Sequence, residues 1–137
     1  MLFKLYQEHD LQKVARYVVE LSKSDTIIFL YGDLGSGKTS FVKYFMWELG
    51  MKCAVTSPTF NIMNIYTAAY FDVYHFDFYR IEDRNELVNI GLEDAMNSGL
   101  VIIEWPQIVQ EFIHSSIIIE IKILNENLRE ISVIHNY

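Results

Sequence analysis

Residues 32–39 read GDLGSGKT and fit the pattern G-x-x-x-x-G-K-[ST] at every fixed position. The apolar run TIIFLY at 26–31 predicts a strand that leads into this loop, and residues 39–49 predict the helix that follows it. Strand, glycine-rich loop and helix occur in the order that a phosphate-binding P-loop requires. We therefore expect the chain to bind a nucleotide within an α/β fold.

The residue types of this loop suit a polyphosphate. Glycines let the backbone turn its N–H groups toward phosphate oxygens, and the N-terminus of the following helix adds a positive dipole end. Lys38 supplies a full positive charge to the β- and γ-phosphates, and Thr39 offers a hydroxyl ligand to Mg²⁺. The predicted nucleotide-binding residues are Gly32, Asp33, Leu34, Gly35, Ser36, Gly37, Lys38, Thr39 and Ser40.

The rest of the sequence predicts a single domain over residues 1–137, with an amphipathic helix at 11–21 before the P-loop strand. The later predicted elements are an antiparallel hairpin at 61–66 and 70–78, two short helices within 81–97, an apolar strand at 100–103, a short helix at 105–112, and a closing antiparallel pair at 117–124 and 128–134. This order predicts an α/β, P-loop NTPase-like sandwich, with a central mixed, mainly parallel sheet flanked by helices.

Composition and charge argue against several functional classes. The net charge of −7 disfavours an autonomous nucleic-acid binder, because such domains carry a basic face. Cys53 is the only cysteine in the sequence, so no internal disulfide can form and a cytoplasmic location is expected. Charged residues follow the N-terminus too early for a signal peptide, and no apolar run reaches the length of a membrane span.

A P-loop site needs a carboxylate near the cation and a group that orients the attacking water, and both usually follow a strand. Glu104 follows the apolar run LVII, and Asp77 follows the more mixed run VYHF, which contains His75. We assign Glu104 to Mg²⁺ and leave Asp77 a supporting or water-positioning role. The predicted catalytic residues are Lys38, Asp77 and Glu104, and the predicted metal ligands are Thr39 and Glu104.

Several of these side chains also have a purely structural interpretation. Glu104 could cap the next helix, Asp77 could pair with Arg80, and His75 could be an ordinary strand residue. Arg80 could instead reach phosphate as an internal arginine finger. The residues that could form a switch sensing the γ-phosphate, or an ordinary proline-containing turn, are Ser57, Pro58 and Thr59. Both tryptophans, Trp47 and Trp105, are expected in the core rather than against a ligand.

Four motifs occur in one order along the chain: GDLGSGKT at 32–39, SPTF at 57–60, HFDFYR at 75–80 and IEWP at 103–106. Together they resemble the TsaE (YjeE) family of small bacterial P-loop ATPases, and the likeness extends over nearly the whole chain. The resemblance implies a role in making the threonylcarbamoyladenosine modification of tRNAs that read codons beginning with A. It also implies action with TsaD and TsaB, which carry the transfer chemistry and grip the tRNA, while the family member hydrolyses ATP.

The resemblance also implies individual roles. Lys38 matches the family's phosphate lysine, Thr39 and Glu104 match its Mg²⁺ ligands, and Asp77 matches its catalytic aspartate. The residues that match its switch-like loop are Ser57, Pro58 and Thr59.

Some positions are less motif-like or depart from the family pattern. The resemblance places the adenine between residues 7–10 and 125–127. Ser36 stands where alanine is usual, at a position that we expect to face solvent and tolerate the change. Ile65 stands where a charged residue is more common, so a contact made by relatives there is expected to be absent.

Three other functions compete with an accessory ATPase. A GTPase would need an N-K-x-D element after the P-loop, and the near-match at 22–25 precedes it. A small-molecule kinase would need a lid and an acceptor pocket, for which the chain is short. A docking module that binds ATP without significant turnover remains open. We expect a Mg²⁺-dependent ATPase with low intrinsic activity that its partners stimulate.

Overall fold

The computed structural model describes residues 1–52, 54–58 and 62–136 of the chain. Within these ranges the strands are β1 (Leu2–Leu5), β2 (Ile27–Gly32), β3 (Met63–Thr67), β4 (Asp72–Asp77), β5 (Leu100–Glu104), β6 (Ile117–Asn125) and β7 (Leu128–His135). The α-helices are α1 (Leu11–Leu21), α2 (Lys38–Glu48) and α3 (Leu92–Met96), and short 3-10 helices lie at Glu8–Asp10, Arg84–Leu87 and Pro106–Ile108.

The strands form one mixed sheet in the order β1-β7-β6-β2-β5-β4-β3. Its centre is parallel, because β2 pairs with β5 and β6 and β4 pairs with β5 in that sense. Both flanks are antiparallel, through β3 with β4 and through β7 with β6 and β1. The predicted α/β sandwich, its hairpin and its closing strand pair are therefore confirmed.

Burial follows the position of each strand in the sheet. All five residues of β5 are buried, as expected for a central strand covered on both faces. On one face, α1 and α2 pack against residues that include Ile28, Leu30 and Ile102. On the other face, α3 and neighbouring segments cover residues that include Phe29 and Val101. Among the described residues, no helix is both long and apolar enough to cross a membrane.

The structure differs from the sequence prediction at two places. The strand β1 was not predicted, although it pairs antiparallel with β7 and its last residue, Leu5, is buried in the core. The helix predicted at 105–112 is a 3-10 helix of three residues, Pro106–Ile108. It starts after Trp105, whose left-handed backbone (φ 56°, ψ 58°) turns the chain sharply out of β5. The P-loop strand and its helix are the elements on which the site is built.

Candidate active site

The P-loop spans the gap between the end of β2 at Gly32 and the start of α2 at Lys38. Gly37 occupies the N-cap of α2 with a φ of 115°, a conformation that a side chain would strain. A cavity of about 310 Å³ opens above this loop. Its lining residues are Leu34, Gly35, Gly37, Lys38, Thr39, Ser40, Ser57, Asp77, Tyr79, Glu104 and Trp105. The structure thus brings all the predicted catalytic and metal-ligating residues into one place.

Lys38 is held inside this cavity by oxygen atoms and by an aromatic ring. Its Nζ donates to the carbonyl of Gly32 and, at 3.1 Å, to that of Asp33. The same nitrogen lies 4.4 Å from the centre of the Trp105 ring. Burial lowers the pKa of Lys38, and the negative charges of Glu104, Asp77 and Asp33 partly oppose that shift. A desolvated cation in this position would gain further from an anionic ligand.

Glu104 lies at the end of β5 and is only 3% exposed. Its Oε2 accepts a hydrogen bond from Thr39 Oγ1 at 3.3 Å and lies 2.6 Å from His75 Nε2. Trp105, not Glu104, occupies the N-cap of the following 3-10 helix, so the capping alternative does not describe Glu104. The sequence left His75 open as an ordinary strand residue, and the structure places it beside the predicted metal ligand.

Thr39 and Glu104 offer a hydroxyl and a carboxylate, which are the hard oxygen donors that Mg²⁺ prefers. Within the described ranges, no group of three or more His, Cys, Asp or Glu side chains could hold a metal ion by itself. A site with few protein ligands fits Mg²⁺, which is usually held by one or two side chains together with substrate phosphates and water. The residues present therefore fit the ion that the sequence predicted.

Asp77 ends β4 and lies opposite Glu104 in the parallel pair of strands. Its carboxylate accepts hydrogen bonds from Ser57 Oγ at 2.7 Å and from the Tyr79 backbone N–H at 2.9 Å. In the part of the chain that the structure describes, Asp77 forms no ion pair with Arg80, so that alternative is not observed. Arg80 is exposed and lines a neighbouring cavity of about 710 Å³ with Ser57 and Asp77.

The predicted switch lies partly within the described residues. Ser57 contacts the carboxylate of Asp77, and the buried Pro58 lines the cavity beside it. Thr59 lies outside the described residues, so its predicted role stays a prediction. The hydrogen bond from Ser57 to Asp77 nevertheless links this segment directly to the site.

The expectation that both tryptophans belong to the core needs correction. Trp105 packs partly against the core, but its ring also covers Lys38 and lies 4.9 Å from the Tyr79 ring, centre to centre. A left-handed backbone is unusual for such a bulky residue and often marks a functional position. Trp47 is 40% exposed and packs against Tyr44 on the surface of α2. The motif IEWP at 103–106, in which Trp105 directly follows Glu104, was the signal in the sequence that could have placed Trp105 at the site.

Ser36 was expected to face solvent, and this expectation is wrong. Its side chain is 1% exposed, and its Oγ has no hydrogen-bond partner among the described residues. It fits because residue 32 is glycine, since a Cβ at Gly32 would lie 2.5 Å from Ser36 Oγ. Ile65 is 54% exposed on the edge strand β3, at the position where a charged residue is more common.

A further cavity of about 230 Å³ borders the P-loop and shares Gly35, Gly37 and Ser40 with the cavity that contains Lys38. It is lined by Leu5, Tyr6, Gln7, Glu8, Leu11, Gly35, Ser36, Gly37, Ser40, Glu126, Asn127 and Arg129. Arg129 donates to the Gly35 carbonyl at 3.1 Å, and a hydrogen bond from Lys43 lowers the pKa of Glu8. The two segments between which the adenine is expected therefore form walls of one cavity beside the loop.

Comparison with known proteins identifies the family. Residues 5–131 match the family described as threonylcarbamoyl adenosine biosynthesis protein TsaE. The protein named tRNA threonylcarbamoyladenosine biosynthesis protein TsaE in Rickettsia conorii is 36% identical over 97% of this chain and 77% of its own length. The protein of the same name in Aquifex aeolicus is 36% identical over 94% of this chain and 92% of its own length. The crystal structure of Bacillus subtilis YdiB superposes with a TM-score of 0.77 and 27% identity, covering 96% of this chain and 82% of that one. This chain therefore belongs to the TsaE family.

Proposed function

We propose that this protein binds and hydrolyses ATP with Mg²⁺ as an accessory subunit for the threonylcarbamoyladenosine modification of tRNA. One observation carries the proposal: Lys38, Thr39, Asp77 and Glu104 line the same cavity above a P-loop. Family membership supports the pathway, because the similar proteins of Rickettsia conorii and Aquifex aeolicus are named for it. TsaD and TsaB are the proposed partners, on the basis of the family resemblance.

Lys38 would bind the β- and γ-phosphates in place of the carbonyls that it contacts now. Its cation is desolvated and lies near three carboxylates, so a phosphate group can replace weaker neutral acceptors with a charged one. Thr39 and Glu104 would hold Mg²⁺. When bound, this ion would neutralise charge on the transferred phosphoryl group and its leaving group.

Asp77 is the best-placed group to orient the attacking water. Ser57 donates to its Oδ2 and the Tyr79 N–H donates to its Oδ1, so both oxygens are fixed in direction. A carboxylate has about four acceptor positions. Each Asp77 oxygen therefore keeps a lone pair that can accept a hydrogen bond from water.

The cavity bounded by residues 6–8 and by Glu126, Asn127 and Arg129 is the proposed adenine site. It borders Gly37 and Ser40 at the start of α2, which also line the cavity that contains Asp77 and Glu104. The wall is polar as well as apolar, which suits a nucleobase with hydrogen-bonding edges.

Partners are expected to provide the tRNA contacts and to raise turnover. The net charge of −7 opposes direct binding to a polyanion. Lys38 is bound by loop carbonyls, so it must release them before it can bind a phosphate group. We therefore expect low ATP hydrolysis by the isolated chain. We also expect the protein to act in the cytoplasm, where tRNA modification takes place.

A docking switch without significant turnover is the second candidate. The hydrogen bond between Ser57 and Asp77 favours it, because a change at the phosphate site would reach the segment around Pro58 without hydrolysis. Such a switch needs nucleotide binding but not the catalytic role of Asp77. Asp77→Ala would then leave the activity of the assembled complex unchanged.

The test is threonylcarbamoyladenosine formation in a reconstituted system with TsaD, TsaB, tRNA, ATP and a threonylcarbamoyl donor. We expect Lys38→Ala to abolish support of repeated turnover, because the phosphates lose their buried cation. Lys23→Ala is the matched control, since Lys23 lies before β2 and lines none of the P-loop cavities. Full modification with Lys38→Ala would show that the nucleotide is dispensable and would contradict the proposal.

A further inference from the structure

His75 is a fully buried polar residue on β4, the strand between the edge strand β3 and the central strand β5. Its side chain has no solvent exposure, and its Nε2 lies 2.6 Å from Oε2 of Glu104. Glu104 is itself almost fully buried, with a side chain 4% exposed. Two polar side chains so far from water are retained at a cost unless they bond to one another. Their contact therefore deserves a functional explanation as well as a structural one.

The strand register explains how the two side chains meet. Asp77 lies opposite Glu104 in the parallel pair β4 and β5, and His75 lies opposite Ile102. Alternation along a strand puts His75 and Asp77 on one face, together with Ile102 and Glu104. This is the face against which α2 packs, so His75 contacts Glu104 diagonally beneath the start of α2.

The hydrogen-bonding pattern identifies which ring nitrogen carries the proton. His75 Nδ1 is buried and has no hydrogen-bond partner among the described residues. A proton on Nδ1 would be a buried donor without an acceptor, whereas a proton on Nε2 points at a carboxylate oxygen. The geometry thus favours the Nε2–H tautomer, in which His75 donates to Glu104.

The contact also determines which carboxylate oxygen of Glu104 remains available to bind a cation. In the described ranges, both hydrogen bonds of this carboxylate, from His75 and from Thr39, fall on Oε2. Oε1 keeps its lone pairs for a cation. Glutamate has one more rotatable bond than aspartate, so its carboxylate needs an external contact to stay in one orientation.

We propose that His75 is a positioning residue, which donates from Nε2 to Glu104 and holds that carboxylate beside Thr39 in the orientation that binds a divalent cation. The proposal rests on the proposed function, because it assumes a nucleotide-linked cation at Thr39 and Glu104. Hydrogen-bonded partners behind a metal ligand commonly change metal affinity by about 10–100-fold when removed. His75 itself lines neither of the cavities at the P-loop.

The experiment compares the affinity for a non-hydrolysable ATP analogue in EDTA with the affinity in excess Mg²⁺. The dissociation constant in EDTA divided by the dissociation constant in Mg²⁺ measures how strongly the protein holds the metal within the complex. In His75→Leu we expect this ratio to fall by about tenfold or more, while the affinity in EDTA stays within about threefold. His75→Gln places an amide donor near the position of Nε2 and is expected to restore most of the ratio.

Two controls separate positioning from general damage to the core. Val73→Ala alters an equally buried residue on the same face of β4 and is expected to lower stability without changing the ratio. Glu104→Gln should lose the Mg²⁺-linked gain outright. If His75→Leu keeps the wild-type ratio while Glu104→Gln loses it, the role of His75 is wrong and the proposed function stands. If the wild-type protein binds no nucleotide, both fail.

The wild-type protein provides a second measurement should His75→Leu not fold. A long-range ¹H–¹⁵N spectrum of protein labelled at its four histidines reports which ring nitrogen carries the proton. We expect the His75 proton on Nε2, and a ¹⁵N shift at that nitrogen when Mg²⁺ is added to the nucleotide complex. A proton on Nδ1, or no response of the His75 ring to Mg²⁺, would overturn the inference.

Discussion

Lys38 is a site residue whose burial is unfavourable for the stability of the nucleotide-free protein. Its ammonium group is buried among loop carbonyls and beneath the Trp105 ring, and burial lowers its pKa from the ordinary value of 10.5. The group is suited to a phosphate rather than to the carbonyls that it contacts without a ligand. The sequence pattern predicted Lys38 and Thr39 directly, because the P-loop motif fixes their spacing.

We expect the stability of the wild type relative to Lys38→Met to rise as the pH is raised toward 10.5. The folded-state pKa is lowered, so in the window below 10.5 the unfolded chain binds more protons than the folded chain, and stability increases with pH. Urea unfolding of both proteins between pH 8 and 10.5, without nucleotide, measures the difference. A difference that falls with rising pH would contradict the burial of a charged Lys38.

The burial of a side chain and its contacts with distant segments could not be predicted from the motif. Ser36 looked like an exposed loop residue, and only the fold shows that it is buried and lies against Gly32. His75 and Glu104 are far apart in sequence, and their contact requires knowledge that β4 and β5 are parallel neighbours. The spacing of residues in a motif specifies local geometry, whereas the burial of a side chain depends on contacts between segments that are distant in sequence.

We predict that Ser36→Ala stabilises the nucleotide-free protein by about 1 kcal/mol, because it removes a buried hydroxyl that has no partner among the described residues. Ser22→Ala is the matched control. Ser22 Oγ donates to the Val18 carbonyl at 2.7 Å, so its removal should destabilise by about 1 kcal/mol. Thermal unfolding measures both. A loss in Ser36→Ala as large as in Ser22→Ala would show that the Ser36 hydroxyl is satisfied.

At the level of elements, the strongly patterned segments were predictable and the short ones were not. The helix α1 carries a clear apolar stripe, and β5 is a continuous apolar run, so both were identified from the sequence. The strand β1 has only four residues, LFKL, and lies at the sheet edge; three of the four are apolar, so the sequence shows no alternation of apolar and polar positions. Pro106 is well suited to the first position of the helix after β5, but the sequence carries no signal for the end of that helix at Ile108.

The contribution of β1 can be measured with two leucines on the same strand. Leu5 is 5% exposed and Leu2 is 58% exposed. We expect Leu5→Ala to lower the free energy of unfolding by about 2–5 kcal/mol, because it leaves a cavity in the core. Leu2→Ala should change it by less than about 0.5 kcal/mol. Equal effects in urea unfolding would contradict the docking of β1 against the core.

At the scale of the whole molecule, the parallel centre of the sheet assembles the site. The strands β2, β4 and β5 run in the same direction, so their C-terminal ends deliver the P-loop, Asp77 and Glu104 to one edge. The sequence predicted this convergence because each candidate residue follows an apolar run. The residue pattern alone did not bring the N-terminal segment and the turn before β7 together, because these segments meet through the antiparallel pairing of β1 with β7; only the family resemblance predicted a site between them.

We expect the P-loop, Thr39 and Glu104 to form an ATP-hydrolysing site that partner proteins stimulate. The most direct test of this claim is steady-state ATP hydrolysis, with GTP for comparison, by the chain alone and with TsaD and TsaB. Glu104→Ala is compared with the wild type, and Glu93→Ala serves as a control on the exposed surface of α3. We predict low ATP turnover by the isolated chain, a clear rise with the partners, and loss of that rise only in Glu104→Ala. ATP binding without turnover in every mixture, or wild-type turnover in Glu104→Ala, would contradict the claim.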